Sequence, residues 1–213
     1  MNKKQKAEFL CEELKKLYPE AKCSLIYSKP YELLFAVRLS AQCTDARVNI
    51  VTKELFEKYK SLEDFAAAKV SDLEKIIRPC GFFRTKSQNI KDTANILLKK
   101  YSGVLPDTIE ELVMLPGVGR KTANLIVGDI YGKPAVVADT HCIRITGRIG
   151  LTDSKDPLKV EKDLRNSVNP SEGNDLCHRL VLFGRDICSA RSPKCDKCSI
   201  KSICNYYSNM GMK

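Results

Sequence analysis

An all-α protein is what this sequence predicts, and three observations carry the prediction. Apolar residues recur at helical spacing in one segment after another. Proline, glycine and short polar residues punctuate those segments where helices begin and end. Nowhere do several alternating apolar and polar segments adjoin, as paired strands require.

Residues 3–18 open the series. Ala7, Leu10, Cys11, Leu14, Leu17 and Tyr18 share a helical face, and Pro19 ends the pattern. Pro30 suits the first turn of a second helix carrying Leu33, Leu34 and Val37, followed by a corner at Ser40-Ala41-Gln42-Cys43-Thr44-Asp45. A third helix carries Val48, Val51, Leu55, Phe56 and Tyr59. Ser71 with Glu74 has the spacing of a capping box and predicts a short helix through Leu73, Ile76 and Ile77, broken by Pro79 and Gly81. Ile90, Ala94, Leu97 and Leu98 mark the next, terminated by Gly103. Asp107 with Glu110 repeats the capping spacing ahead of Ile109, Leu112 and Val113. Leu125, Ile126 and Ile130 follow in a helix from Arg120 that Gly132 and Pro134 stop. The segment 135–138 is too short to found a sheet. Two further helices carry Val160, Leu164 and Val168, and then Leu176, Leu180, Val181 and Phe183.

Length and composition narrow the class. At 213 residues the chain holds one large or two small domains with real cores. Hydrophobic residues are 43% and charged residues 29%, and no apolar run reaches the ~18 residues of a membrane span. No signal peptide is visible, so the expected location is the cytoplasm. A formal charge of +10 suits a polyanionic partner. Tryptophan is absent and the other aromatics are scattered, which argues against a single-strand stacking platform. Ten cysteines without a secretory signal indicate thiols that bind metal or stay reduced. Cys11, Cys23, Cys43, Cys80, Cys142 and Cys177 are dispersed and read as small core residues.

Chemistry concentrates in two stretches. In Leu115-Pro116-Gly117-Val118-Gly119-Arg120-Lys121, proline and glycine stop one helix just before another begins. Gly117 and Gly119 bracket a turn open to positive φ, so that bare backbone amides and a helix N-terminus form an anion site suited to a nucleic-acid phosphate. Lys121 lies in the first turn, where the helix dipole disfavours a cation and promotes the neutral, nucleophilic amine; a plain phosphate contact is the other reading. The second stretch holds Cys188, Cys195, Cys198 and Cys204 within 17 residues in a segment too poor in apolar residues to bury a core without a metal. Structural zinc usually shows two close cysteine pairs, and here only Cys195 and Cys198 are close; spacing alone leaves zinc and an iron-sulfur centre both open.

The hairpin, continued through Val136-Val137-Ala138-Asp139-Thr140-His141, resembles the helix-hairpin-helix DNA glycosylases of the endonuclease III family, and the C-x6-C-x2-C-x5-C spacing matches the family's cluster loop. The resemblance runs over nearly the whole chain. It implies two interleaved helical domains, a six-helix domain at residues 23–133 and an iron-sulfur domain from 1–22 with 134–213, and a DNA-binding cleft between them. It implies a [4Fe-4S] cluster on Cys188, Cys195, Cys198 and Cys204, and catalysis by Lys121 and Asp139. By the residues alone, Asp139 reads first as a helix N-cap. The expected partner is double-stranded DNA bearing a damaged base or an abasic site, bound by a monomer. Gln42 is expected to fill the gap left by an extruded nucleotide and Phe82 to wedge the opposite strand, where relatives commonly carry a smaller aliphatic residue. Gly117 and Gly119 belong to the same DNA contact. His141 resembles a family histidine near the site, and Arg191 and Lys194 lie where the family touches the backbone.

The implied activity is base excision repair: removal of oxidised pyrimidines by a bifunctional N-glycosylase, then β-elimination at the abasic site through a lysine Schiff base. Related adenine glycosylases lack this lysine and carry a further C-terminal domain. Here Lys121 is present and the sequence runs nine residues past Cys204, which favours the bifunctional branch. Two other readings compete, a redox-sensing DNA-binding module without catalysis and a monofunctional glycosylase that leaves the strand intact.

Overall fold

A computed structural model describes residues 1–210. The described residues hold twelve α-helices and four short 3-10 turns, with no strand among them. Helix α1 (Lys3–Leu17) opens on a capping box in which Asn2 and Gln5 exchange side-chain and backbone bonds, a start signal the periodicity had passed over. Its buried face is Ala7, Leu10, Cys11 and Leu14.

The chain divides into two compact units, Cys23–Tyr131 and Met1–Lys22 together with the chain from Gly132 onward. The first holds α2 (Pro30–Ser40), α3 (Asp45–Lys58), α4 (Leu62–Ala67), α5 (Val70–Ile77), α6 (Phe83–Tyr101), α7 (Ile109–Leu112) and α8 (Arg120–Tyr131). Pro30 stands in the first turn of α2, and the buried Glu32 reaches back to accept from the amides of Ser28 and Lys29 at 2.7 and 3.1 Å. That bonding accounts for a carboxylate buried in an otherwise apolar helix.

Helix α4 has no counterpart in the sequence reading. Ser61 caps it in a box with Asp64, and its Phe65 is fully buried among the rings of Tyr31, Phe35, Phe56 and Tyr59. Two expected caps shift. Ser71 lies inside α5, which starts at Val70 behind Lys69 with no side-chain cap. The cap of α7 is Thr108, not Asp107; its hydroxyl accepts from the Glu111 amide at 3.3 Å and bonds the Glu111 carboxylate at 2.9 Å. At α7 two residues with capping chemistry, Asp107 and Thr108, adjoin, and side-chain reach decides between them.

The second unit adds α9 (Thr140–Ile149), α10 (Pro157–Ser167), α11 (Gly173–Asp186) and α12 (Asn205–Met210) to α1. Helices α9 and α1 both pack on α11. Of the dispersed cysteines, Cys11, Cys80, Cys142 and Cys177 are buried, as read. Cys23 and Cys43 are only half-buried, because each sits in a connecting segment at the edge of its unit's core.

Candidate active site

The hairpin joins α7 to α8. Leu115 and Val118 are buried and anchor it, and the Val118 amide bonds the Leu115 carbonyl at 3.1 Å. Gly117 adopts φ +71°, and a Cβ there would lie 2.5 Å from both the Arg38 guanidinium and the Asn89 amide. Arg38 on α2 and Asn89 on α6 thus form the floor of the turn, the Asn89 oxygen accepting from Arg38 Nη2 and Nε at 2.8 and 3.2 Å. Neither residue was singled out from the sequence; the one signal was a lone cation on a largely apolar helix. Gly119 departs from expectation, since its φ is not positive. A Cβ there would meet nothing within 4 Å, so its backbone is bare and open to a ligand. Lys121 is exposed in the first turn of α8, next to the exposed Arg120.

In the same unit, Gln42 and Phe82 are both exposed, and both hold left-handed backbone at φ 58° and 48°. With Ser102 they are the positive-φ residues other than glycine among the described residues. Such backbone is costly for an L side chain and persists where the surroundings fix it. Phe82 is 66% exposed and so is no part of the core.

Asp139, in the second unit, is the N-cap of α9, its Oδ1 accepting from the Cys142 amide at 2.7 Å. The run Ala135–Val137 leading to it is buried against α11. The Val137 amide faces Cys177 Sγ at 3.2 Å, and a Cβ on Gly173 would sit 2.6 Å from the Ala135 carbonyl. Those contacts fix where Asp139 emerges. His141, one residue into α9 and half-buried, places Nδ1 3.1 Å from Arg144 Nη2 and lies against Gly184, whose Cβ would meet that nitrogen at 2.3 Å.

Four cysteines of this unit, Cys188, Cys195, Cys198 and Cys204, line one partly open pocket walled by Ile145, Ile149, Phe183, Ile187 and Ile200. All four are free thiols. Burial raises the pKa of Cys195 and Cys198, and the neighbouring thiols raise it further. Among the described residues no group of three or more His, Cys, Asp or Glu side chains is close enough to hold a single metal ion. Arg148, which the sequence reading passed over, threads this loop. It donates to Cys188 Sγ at 3.2 Å and to the carbonyls of Ser189 and Ala190 at 2.7 and 2.9 Å, and it stacks on Tyr206 at 4.6 Å. Arg191 and Lys194 are exposed on the loop, Lys194 lying 3.6 Å from Asp186.

Residues 35–170 match the family described as HhH-GPD superfamily base excision DNA repair protein, and that is the class this hairpin on an all-helical scaffold defines. Endonuclease III of Bacillus subtilis is 44% identical over 205 residues, covering 96% of this chain and 93% of that protein. Two solved structures, a non-covalent endonuclease III-DNA complex and a trapped endonuclease III-DNA covalent intermediate, each superpose with a TM-score of 0.91 at 42% identity over the whole of both chains. The chain belongs to the endonuclease III family. It is a base excision repair enzyme, a DNA glycosylase with abasic-site lyase activity.

Proposed function

We propose that this enzyme removes oxidised pyrimidines from duplex DNA and nicks the resulting abasic strand through an imine at Lys121. The observation that carries the reading is the exposed amine in the first turn of α8, directly behind the bare backbone of Gly119. A covalent DNA complex is known for a relative 42% identical over the full chain.

Loss of the base leaves positive charge on the sugar, which the Asp139 carboxylate stabilises. The Lys121 amine, after giving up a proton, attacks the anomeric carbon as the N-glycosidic bond breaks and its electron pair leaves with the base. Expulsion of the ring oxygen gives an imine. The imine makes the adjacent C2′ proton acidic; its removal expels the 3′ phosphate and nicks the strand. Asp139 shuttles protons around the amine, with Oδ1 held by the Cys142 amide.

The amides at Gly117 and Gly119 bind a backbone phosphate, and Arg191 and Lys194 bind others. Gln42 enters the space of the extruded nucleotide and Phe82 parts the opposite strand. His141 supports the site from the first turn of α9. The unit Cys23–Tyr131 serves as the helix-hairpin-helix domain and the other as the cluster domain. Among the described residues no helix is long and apolar enough to cross a membrane. The enzyme works on the nucleoid as a monomer on one duplex, which sedimentation of the complex reads.

Cys188, Cys195, Cys198 and Cys204 hold a [4Fe-4S] cluster. What supports this is their convergence on one pocket with largely apolar walls, in a spacing that matches the family's cluster loop. When bound, the cluster supplies a covalent cross-link of the loop. Iron and acid-labile sulfide assays should each return about four per chain; one zinc in their place would overturn the assignment.

Borohydride trapping on a duplex with one abasic site tests the reaction. Wild type should give a covalent complex and Lys121→Gln none. Trapping by both would remove Lys121 from its role.

A further inference from the structure

Lys86 is 2% exposed in the first turn of α6, and its ammonium donates to three backbone carbonyls, Leu39 at 2.9 Å, Ala41 at 2.8 Å and Cys80 at 2.9 Å. A lysine has three N–H donors, so these bonds satisfy the group completely. Leu39 and Ala41 belong to the end of α2, where carbonyls lack helical partners and favour a cation. Cys80 closes the 3-10 turn Arg78–Cys80 after α5. The ammonium therefore joins two segments that are distant in sequence.

What those segments carry is Gln42, one residue after Ala41, and Phe82, two residues after Cys80. The Lys86 amide also bonds the Phe82 carbonyl at 3.0 Å, so one residue grips the wedge loop through both main chain and side chain. Gln42 and Phe82 are the exposed left-handed residues described above, and such conformations need neighbours that over-determine them. A buried cation is a poor means of adding stability, because desolvation opposes it, and the same burial pushes the Lys86 amine below its ordinary range. An apolar side chain of similar length would fill the space but leave the carbonyls unpaired and the loops untied.

We propose that Lys86 is the positioning residue that sets the spacing and aim of Gln42 and Phe82, and thereby the efficiency with which the enzyme opens a duplex. The proposal rests on the reading of those two residues as the groups that enter DNA. Lys86 itself touches no substrate.

The test compares single-turnover borohydride trapping on an abasic duplex with trapping on the same abasic strand alone, which needs no opening. Lys86→Met should slow the duplex reaction at least about tenfold, the scale of a misplaced contact group, and leave the single-strand reaction within about twofold. Added to a Gln42→Ala/Phe82→Ala double variant it should cost little more, since the loops it aims are already blunted. If the double variant shows no duplex-selective loss, the reading of Gln42 and Phe82 fails. A double variant with that loss beside a Lys86→Met variant without it overturns the positioning role. Should Lys86→Met not fold, Lys86→Gln, which keeps a donor, takes its place; equal loss on both substrates would then mark Lys86 as a structural residue and overturn the proposal.

Discussion

The carboxylate of Asp139 caps α9 through Oδ1 and is also the group proposed to face the charged sugar. The two roles separate in Asp139→Asn. Asparagine caps as well as aspartate, so stability should stay within about 1 kcal/mol, whereas loss of the charge should lower single-turnover base excision at least about 100-fold. A fall in activity matched by an equal fall in unfolding temperature would leave only the cap. The sequence showed a residue fit for both roles, since N-cap chemistry and catalytic chemistry use the same oxygen. It could not show Arg38 and Asn89 beneath Gly117, because that contact joins α2, α6 and the hairpin, segments far apart in the chain.

At the scale of the element, the helices marked by apolar periodicity or by a capping pair were legible, α5 and α7 included, and α4 and α12 were not. Helix α4 spans six residues, too few for a pattern to repeat, yet Phe65 on it is the hub of the aromatic cluster, 4.9 Å from Phe35 and 5.2 Å from Tyr59 between centroids. Phe65→Ala should cost about 3–5 kcal/mol in denaturant unfolding, the range for a buried phenylalanine. A cost under about 1 kcal/mol would mean that the rings close over the gap. Helix α12 escaped notice for the same reason of length, and α9 was anticipated only as the stretch behind the Asp139 cap.

Over the whole molecule, buried thiols tie stability to pH. Burial raises Cys11 from 9.0 to about 12, and Cys23 and Cys80 from 9.0 to about 11; Glu172, Asp129 and Cys43 respectively add to the effect. Above pH 9 the unfolded chain gives up these protons while the folded chain keeps them. Their contribution is therefore complete below pH 9 and is lost as pH rises towards 11 to 12. Denaturation midpoints should be level from pH 7 to 8.5 and fall beyond about pH 9; a level profile to pH 11 would contradict the burial of these groups. The sequence by itself determined the helical class, the hairpin with its lysine, and the four-cysteine loop, because periodicity, turn chemistry and ligand spacing are local and survive in one dimension. Only the tertiary structure decided which partners hold those pieces in place: Arg38 and Asn89 under Gly117, Arg148 through the cysteine loop, and Lys86 between the Gln42 and Phe82 loops. Each is a polar side chain bonded across a long stretch of sequence, and no local pattern distinguishes such a residue from one that faces water.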